Sequence, residues 1–409
     1  MVTGLMSLFE PDRHEALIET PWGEGVARAA IDVIVTDTRA AYQGVEGLWP
    51  IHPLDVSPER GEVLKLLYYG AAGVIWALDA LESLGVAPPG PDYADALNTL
   101  ADRARDDDIR LKGRSVPAFH MGLAGVLMTR AKLGADEDAE ADLAAALVAN
   151  IADPSEGLTW GAAGSLLAAS FMLERTGASR WRSIALSLAE AIWSRWDWCE
   201  TARCHLWTQD LYGEKARQLG ALHGFAGNVF ALLKVRHLLS PDHQAELLSR
   251  VRQTIIVTAL HDGPLVNWPF EAGSSGHPGS AALRVQHCMG APGLVNTLSS
   301  IPPDPETDAL LVAAGQLVWR AGPLTKLPCL CHGVPGNGFA FLKLFARTGD
   351  ERWLERARRF AMHAIAQNDR FVADHHQRKF SLWTGDLGLA FYLRACIAGD
   401  PAMPTLDVF

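Results

Sequence analysis

The chain has 409 residues, of which 49% are hydrophobic and 20% charged, a composition typical of a globular protein with a large core. A formal net charge of -11 and the lack of a basic stripe exclude the electrostatics of a nucleic-acid-binding protein. No stretch reaches the roughly 18 apolar residues of a transmembrane helix, and the first residues lack a secretory-signal pattern. With only six cysteines, we expect a cytoplasmic protein with reduced thiols and no transmembrane segment.

Behind an N-terminal segment, residues 1–59, that we predict to be helical, apolar runs recur after Gly-x-x-Gly turns. Each run, such as GAAGSLLAASFML, is apolar on nearly all sides, which predicts a buried helix. Each interval between turns contains an amphipathic, charged segment that can form a second helix. Repetition of this kind predicts an array of helical hairpins. The seven turns begin at Gly70, Gly122, Gly161, Gly224, Gly290, Gly333 and Gly385.

Seven hairpins with apolar inner helices can stack as an open solenoid or close into a ring. Closure hides the inner helices from water on both flanks, as their all-round apolarity requires. We therefore predict an all-α fold, an α,α-toroid (double ring) of seven helical hairpins, with parallel inner helices whose N-termini open at one mouth. The whole chain, residues 1–409, is predicted to form this single domain, with the repeats over roughly residues 60–400.

The residues just before each turn are predicted to line the mouth. Cys331 and His332 precede the sixth turn, and Cys288 holds the matching position in the fifth repeat, two residues before the glycine. Two thiolates and one imidazole are a typical catalytic zinc set with one tetrahedral position open, and sulfur ligands favour zinc over magnesium or calcium. His223, which precedes the fourth turn, is a candidate general acid or base.

These motifs resemble those of the lanthionine synthetase C-like (LanC-like) cyclase family. VQHCMGAPG at 285–293 is similar to the family's Trp-Cys-x-Gly-x-Pro-Gly motif, and CHGVPGNGFAFL at 331–342 is similar to its Cys-His-Gly-x-x-Gly-Asn motif. LHGFAG at 222–227 resembles its His-Gly-x-x-Gly motif. The resemblance covers all seven repeats and implies a zinc-containing α,α-toroid.

The resemblance also implies an activity. Members of this family use zinc to add a thiol to dehydroalanine or dehydrobutyrine, which forms a lanthionine or methyllanthionine thioether. Carried over, Cys288, Cys331 and His332 would bind Zn2+, and His223 would handle the proton. The substrate would be a peptide or protein that contains dehydroamino acids.

Two positions depart from the family's pattern. His287 stands where the motif usually has Trp, which makes the wall beside the metal more polar. The family's acid ahead of the third turn is replaced by Gly157, and Glu156 lies one residue earlier. Glu156 is a candidate substitute for that acid and, like Arg378 before the seventh turn, a candidate substrate contact.

Other details resemble the stand-alone, eukaryotic-type LanC-like branch. NWP at 267–269 is similar to the branch's segment ahead of the zinc cysteine, and FSLWTG from Phe380 is similar to the start of its last repeat. Lys326 stands where that branch has a lysine linked to glutathione. The resemblance therefore implies, as an alternative, addition of glutathione to dehydroamino acids in proteins, with Lys326 as a substrate contact.

Two other function classes stay open. Zinc-dependent protein prenyl transfer also uses α,α-toroids and a zinc-bound thiol, but it needs an Asp ligand and a wide aromatic funnel. A non-catalytic, zinc-stabilised scaffold that binds peptides is disfavoured by the open coordination position and by His223.

The remaining thiols of interest lie outside the proposed ligand set. WCETARCH at 198–205 contains Cys199, Cys204 and His205, which no repeat position brings together. We interpret them as exposed hairpin ends rather than as a second metal site. Cys329, two residues before Cys331, is interpreted as an inert thiol or as a neighbour of the metal site that does not bind the ion.

Overall fold

The computed structural model describes residues 7–57, 63–134, 137–211, 213–273 and 283–409. Helices α1 (Glu24–Ala40) and α2 (Gly44–Gly47) come first. Further helices then alternate between inner and outer positions: α3 (Ala71–Ser83), α4 (Ala94–Lys112), α5 (Leu123–Gly134), α6 (Glu137–Ala149), α7 (Ala162–Thr176), α8 (Ser179–Ser194), α9 (Phe225–Lys234), α10 (Pro241–Thr258), α11 (Ala291–Leu298), α12 (Pro305–Ala321), α13 (Val334–Thr348), α14 (Glu351–His375) and α15 (Asp386–Ala398). The odd-numbered helices from α3 onward are the predicted apolar runs, and each begins directly behind the first glycine of its turn.

Burial separates the inner helices from the outer ones. In α7 every residue from Ala162 to Met172 is buried, whereas α8 buries one stripe that includes Trp181, Ala185 and Leu188. A helix that is apolar all round needs protein on every side, and an amphipathic helix can face water. Within the described ranges, no helix combines the length and the apolarity that crossing a lipid bilayer requires.

The inner helices are neighbours in cyclic order, and the last of them, α15, packs against the first, α3. Main-chain hydrogen bonds close the same gap: the N–H of Trp383 donates to the carbonyl of Tyr68 (3.0 Å), whose own N–H donates to the carbonyl of His120 (3.2 Å). The predicted all-α toroid with a closed ring is therefore confirmed. Helix α1 takes the outer position beside α15.

Among the described residues, three short β-hairpins, which the sequence did not predict, lie in the connections from α8 to α9 and from α10 to α11. Strands of three residues with mixed polar and apolar side chains carry too little alternation to be recognised. One hairpin is formed by WCETARCH, and its thiols are buried rather than at exposed ends, with Cys199 2% and Cys204 0% exposed. The pairs are β1 (Asp197–Cys199) with β2 (Cys204–Leu206), β3 (Gln209–Leu211) with β4 (Glu214–Ala216), and β5 (Leu260–Asp262) with β6 (Leu265–Asn267).

The N-terminal segment is helical only in part. Residues 1–6 and 58–59 lie outside the described residues, and α1 and α2 account for the α-helix in the rest of the segment. Ahead of α1 the chain runs along the loop before the sixth turn, where the N–H of Glu15 donates to the carbonyl of Pro323 (2.9 Å). The main chain of this stretch therefore forms hydrogen bonds with a distant loop instead of within a helix. That residues 1–409 form one domain stays a prediction.

The C-terminal segment, residues 400–409, enters the centre of the ring. The Phe409 ring lies 5.9 Å from that of Phe171 on α7, and Asp407 Oδ1 accepts a hydrogen bond from Lys343 Nζ on α13 (2.8 Å). Helices α7 and α13 belong to the third and sixth repeats, on opposite sides of the ring. Contacts with both place the segment in the lumen.

The second glycine of each turn allows neighbouring repeats to pack closely. A Cβ added to Gly125 would lie 2.2 Å from the carbonyl oxygen of Phe119 and 2.7 Å from Cβ of Leu67 in the neighbouring repeat. At Gly336 the added atom would lie 3.0 Å from Cβ of His287. A side chain at these positions would push two repeats apart.

We predict that Gly125→Ala lowers the free energy of unfolding by roughly 2–3 kcal/mol, because the added methyl group overpacks the contact between two repeats. The matched control is Gly25→Ala on the exposed side of α1, where an added Cβ has no atom within 4 Å. Helix propensity should stabilise that variant by about 0.5–1 kcal/mol. Denaturant unfolding followed by circular dichroism measures both, and an unchanged midpoint for Gly125→Ala would contradict the packing role of the glycine.

Candidate functional site

The positions two residues before each first glycine adjoin one another around the mouth. The N–H of Cys288 donates to the carbonyl of Cys331, and the N–H of Cys331 donates to the carbonyl of Trp383, each at 3.0 Å. Because the turns open at the same end of the ring, these bonds hold equivalent residues of neighbouring repeats side by side. The structure thus brings Cys288 of the fifth repeat against Cys331 of the sixth.

The thiols of Cys288 and Cys331 hydrogen-bond to each other, and the residues are 5% and 7% exposed. Gln286 Nε2 donates to Cys288 Sγ (2.9 Å), and the phenol of Tyr68 donates to the sulfur of Cys331. The hydrogen bond from Cys331 lowers the pKa of Cys288, whereas that bond and burial raise the pKa of Cys331 well above its usual range. The pair therefore gives up one proton readily and holds the second.

His332 follows Cys331 directly and is half-buried. Burial, and then the positive charges of Lys326 and Lys379, lower the pKa of His332 to about 4, so its imidazole is neutral near pH 7. Within the described ranges, no group of three or more His, Cys, Asp or Glu side chains is arranged to hold a metal ion. The structure brings together two of the three predicted ligands and does not cluster His332 with them.

The chemistry of these side chains fits a zinc ion. Two sulfur atoms in contact are soft donors, and a neutral imidazole lies on the next residue. Gln286 and Tyr68 bond to the sulfurs as outer partners commonly do at metal sites. Burial raises the pKa of Cys329 to about 11, so that thiol stays protonated. Ligation of zinc by Cys288, Cys331 and His332 stays a prediction.

His223 is anchored at the mouth through one ring nitrogen. Its Nδ1 lies 3.1 Å from Thr159 Oγ1, and that hydroxyl donates to the carbonyl of Leu222 at 3.4 Å. With the hydroxyl proton used in this way, we assign the ring hydrogen to Nδ1 and the lone pair to Nε2. Burial lowers the pKa of His223 to about 4, so the imidazole is neutral near pH 7 and able to accept a proton.

Buried polar side chains form a hydrogen-bonded floor next to the thiols. Trp383 Nε1 donates to Thr405 Oγ1 (2.9 Å), which lies 3.3 Å from His120 Nε2. The indole of Trp383 stacks on Tyr68, with ring centroids 5.6 Å apart and planes at 7°. Thr405 has φ +59°, a strained value for a β-branched residue. The C-terminal segment is therefore strained where it supplies this hydroxyl.

Sequence reasoning missed several of these contacts. Tyr68, His120 and Trp383 occupy the position two residues before a glycine, so their place at the mouth could be read from the repeats. Their partners could not, because a shared position does not specify side-chain hydrogen bonds. Gln286 and Thr405 lie outside that position and carry no recognisable signal.

Glu156 lies near the mouth, but its carboxylate is paired with a basic side chain of the protein. The next residue, Gly157, forms a β-bridge with His223, while the carboxylate of Glu156 is ion-paired with Arg195. The ion pair lacks hydrogen-bond geometry at either carboxylate oxygen. Burial raises the pKa of Glu156 to about 7, and the charge of Arg195 opposes this only in part.

The two predicted cationic contacts differ in their surroundings. Lys326 is half-buried at the mouth, and its charge acts on Cys288. Arg378 is 9% exposed and donates to Asp37 (2.6 Å) on α1 and to Asp386 (3.0 Å) on α15. Its charge is therefore compensated within the protein, where it joins two helices. The substrate contacts proposed for Lys326, Arg378 and Glu156 stay predictions.

We predict that Glu156 makes stability depend on pH. Its folded pKa of about 7 exceeds the ordinary 4.5, so the folded state binds this proton more tightly than the unfolded state does. Its contribution is full below about pH 4.5 and is lost as the pH rises through 7, by up to about 3 kcal/mol. Thermal unfolding of Glu156→Gln should match the wild type near pH 5 and exceed it near pH 8. A constant difference at both pH values would contradict the assignment.

A comparison with protein families and curated proteins identifies relatives. The chain matches the family described as "Lanthionine synthetase C-like protein" over residues 64–408. It is 30% identical over 176 residues to "LanC-like protein GCL1" of Arabidopsis thaliana, which covers 41% of this chain and 38% of that protein. It is 28% identical over 192 residues to "Glutathione S-transferase LANCL1" of Danio rerio, which covers 46% and 43%. These matches span about two fifths of the curated relatives.

Among solved structures, "Nisin cyclase" has the same fold, with a TM-score of 0.57 at 12% identity over 91% of this chain and 94% of that one. At this identity the likeness concerns the fold alone. The family match, in contrast, spans all seven turns and the Cys and Cys-His motifs. The chain therefore belongs to the lanthionine synthetase C-like family.

Proposed function

We propose that this protein catalyses the zinc-dependent addition of a thiol to dehydroalanine or dehydrobutyrine in a peptide or protein, with a lanthionine-type thioether as product. The contact between the thiols of Cys288 and Cys331 carries this proposal, because it sets two sulfur donors side by side at the mouth. Cys288, Cys331 and His332 would hold the zinc ion, which would supply the positive charge that lowers the pKa of an incoming thiol and favours its ionised form near neutral pH.

His223 is the proposed proton carrier. The addition forms a C–S bond at the β-carbon and a C–H bond at the α-carbon, so one proton must pass from the thiol to carbon. The lone pair on Nε2 can take up that proton while Nδ1 stays bonded to Thr159. Because burial lowers the pKa of His223 to about 4, the protonated ring gives the proton up readily to the α-carbon.

Glutathione is the second candidate thiol donor. The positive charge of Lys326 at the mouth suits a tripeptide with two carboxylates, and the zebrafish relative is named a glutathione S-transferase. A cysteine in the peptide would give ring closure, whereas glutathione would give an intermolecular adduct. Both donors are reduced thiols, in keeping with the cytoplasmic location expected from the sequence. Turnover of dehydroalanine peptides with and without an internal cysteine, with glutathione added to each, separates the two reactions.

We predict that the purified protein binds about one zinc ion and that Cys288→Ala and Cys331→Ala each lose it, because two remaining ligands bind zinc too weakly. Cys329→Ala is the matched control, since it removes a buried, protonated thiol two residues from Cys331 and should keep the metal. Elemental analysis of the dialysed proteins measures the content. Undiminished zinc in both ligand variants would overturn the ligand assignment.

We predict that His223→Ala keeps zinc but slows thiol addition to a dehydroalanine peptide by about 10²–10⁴-fold, the usual contribution of a positioned acid or base. His237→Ala removes an exposed histidine and should leave the rate unchanged. Product formation followed by mass spectrometry gives both rates. Equal turnover by His223→Ala and the wild type would remove His223 from the mechanism, and zinc binding without any turnover by the wild type would favour the peptide-binding scaffold.

A further inference from the structure

The hairpin of β1 and β2 sets two cysteines directly across from each other. Cys199 pairs with Cys204 in the antiparallel register. Directly opposed residues in such a pair have Cα atoms about 4.5–5.5 Å apart, which lies within the range of about 4.4–6.8 Å that a disulfide spans. Both residues are present as free thiols, so the hairpin holds a reduced pair that can be joined with little change in its backbone.

Cys199 has polar neighbours that an ordinary core cysteine lacks. Arg217 Nη1 donates to Cys199 Sγ at 3.1 Å, and Thr201 Oγ1 lies 3.2 Å from the same sulfur. The backbone N–H of Ala202, in the turn of the hairpin, also donates to it. Three donors around one sulfur stabilise the anionic form of the thiol.

The charge on Arg217 is available to that sulfur. Within the described part of the chain, no carboxylate forms an ion pair with its guanidinium, whose Nε donates instead to the hydroxyl of Thr208 (3.3 Å). Burial works against ionisation of Cys199, but the bonds from Thr201, Ala202 and Arg217 outweigh it, and the pKa of Cys199 is lowered. An arginine beside a cysteine is a recognised way to favour the thiolate.

Cys204 has the opposite environment. It is 0% exposed, and burial raises its pKa to about 11, although its hydrogen bond with Thr254 opposes this shift. The hairpin therefore places a thiol that favours ionisation opposite one that stays protonated. This difference suits a two-step oxidation, in which the thiol that ionises more easily attacks an oxidant and the protonated thiol then forms the disulfide with it.

We propose that Cys199 and Cys204 form a thiol-oxidation site, in which a hydroperoxide oxidises Cys199 and Cys204 then closes a cross-strand disulfide. The site lies outside the mouth and uses neither its thiols nor His223, so it does not rest on the proposed function. Cys199 is buried but lies next in sequence to Trp198 and Glu200, which are exposed.

The chemistry balances with the hydroperoxide as the only added reagent. The Cys199 thiolate attacks the terminal peroxide oxygen, the O–O bond breaks, and the departing alkoxide takes up a proton, which leaves a sulfenic acid and an alcohol (water, for hydrogen peroxide). Cys204 sulfur then attacks Cys199 sulfur, the S–O bond breaks, and the leaving hydroxide combines with the Cys204 proton as water. Two thiols are oxidised to one disulfide, and the peroxide is reduced.

Peptide mapping of the full-length protein tests the proposal. Trypsin cleaves after Arg195, Arg203 and Lys215, so Cys199 and Cys204 fall on separate peptides, residues 196–203 and 204–215. After brief exposure to stoichiometric hydrogen peroxide, blocking of free thiols and digestion without reductant, these two peptides should appear as one disulfide-linked species. In Cys204→Ser the sulfenic acid of Cys199 should be trapped by dimedone on the peptide 196–203.

Variants of the donor residues, together with a cysteine elsewhere in the chain, distinguish a specific oxidation site from general oxidation of the protein's thiols. Arg217→Gln should slow formation of the linked species on the order of tenfold, because the thiolate loses its cation, and Thr201→Val tests a second donor if Arg217→Gln misfolds. Cys396, whose pKa burial raises to about 12, should stay reduced. The proposal is overturned if the two peptides remain reduced in the wild type, or if Cys396 oxidises as fast as they do. Formation of the disulfide-linked species at the wild-type rate in both Arg217→Gln and Thr201→Val would also overturn it.

Discussion

The close approach of neighbouring backbones at the Gly-x-x-Gly turns determines the arrangement of the whole mouth. Gly336 leaves room for His287 of the preceding repeat, and at that distance the N–H of Cys288 reaches the carbonyl of Cys331. Since the turns recur in the same register, residues two positions before a glycine meet their counterparts in the next repeat at several junctions, among them Cys331 with Trp383 and Trp383 with Tyr68. A two-sulfur site then requires only one cysteine in each of two adjacent repeats, and the ring supplies the proximity.

Closure of the ring leaves a lumen, and the structure fills it with a polar floor rather than with apolar side chains alone. Thr405 adopts a strained backbone conformation, which costs on the order of 1–3 kcal/mol. In return its hydroxyl bonds to Trp383 and lies within reach of His120, so neither buried ring is left without a partner. Trp383 in turn stacks on Tyr68, which bonds to Cys331. Through these contacts the C-terminal segment holds the rings beside the thiols in fixed orientations.

The sequence was sufficient to predict whatever depends on repetition. The toroid was predicted from the spacing of the repeats, from helices that are apolar on all sides and from the glycines of the turns. The equivalent positions of Cys288 and Cys331 in neighbouring repeats predicted that they lie side by side. It could not predict features that occur once: the three short hairpins and the path of the C-terminal segment depend on tertiary contacts between unlike residues. Arg378 is an example, since its charge meets Asp37 only because α1 packs beside α15. For His332, the repeat register predicts a place at the mouth but does not predict whether the imidazole lies beside the two thiols. A shared backbone position does not fix the direction of a side chain.

The electrostatics of the mouth differ from those of the molecule as a whole. The chain has a net charge of -11, yet the charges that act on Cys288 and His332 are mainly positive and come from Lys326, Arg284 and Lys379. Burial keeps His223 and His332 neutral, because a charged imidazole loses more solvation than these surroundings return. A site that holds anionic sulfur needs this combination. Cations nearby stabilise the anion, and neutral imidazoles keep the lone pairs that binding a metal or accepting a proton requires.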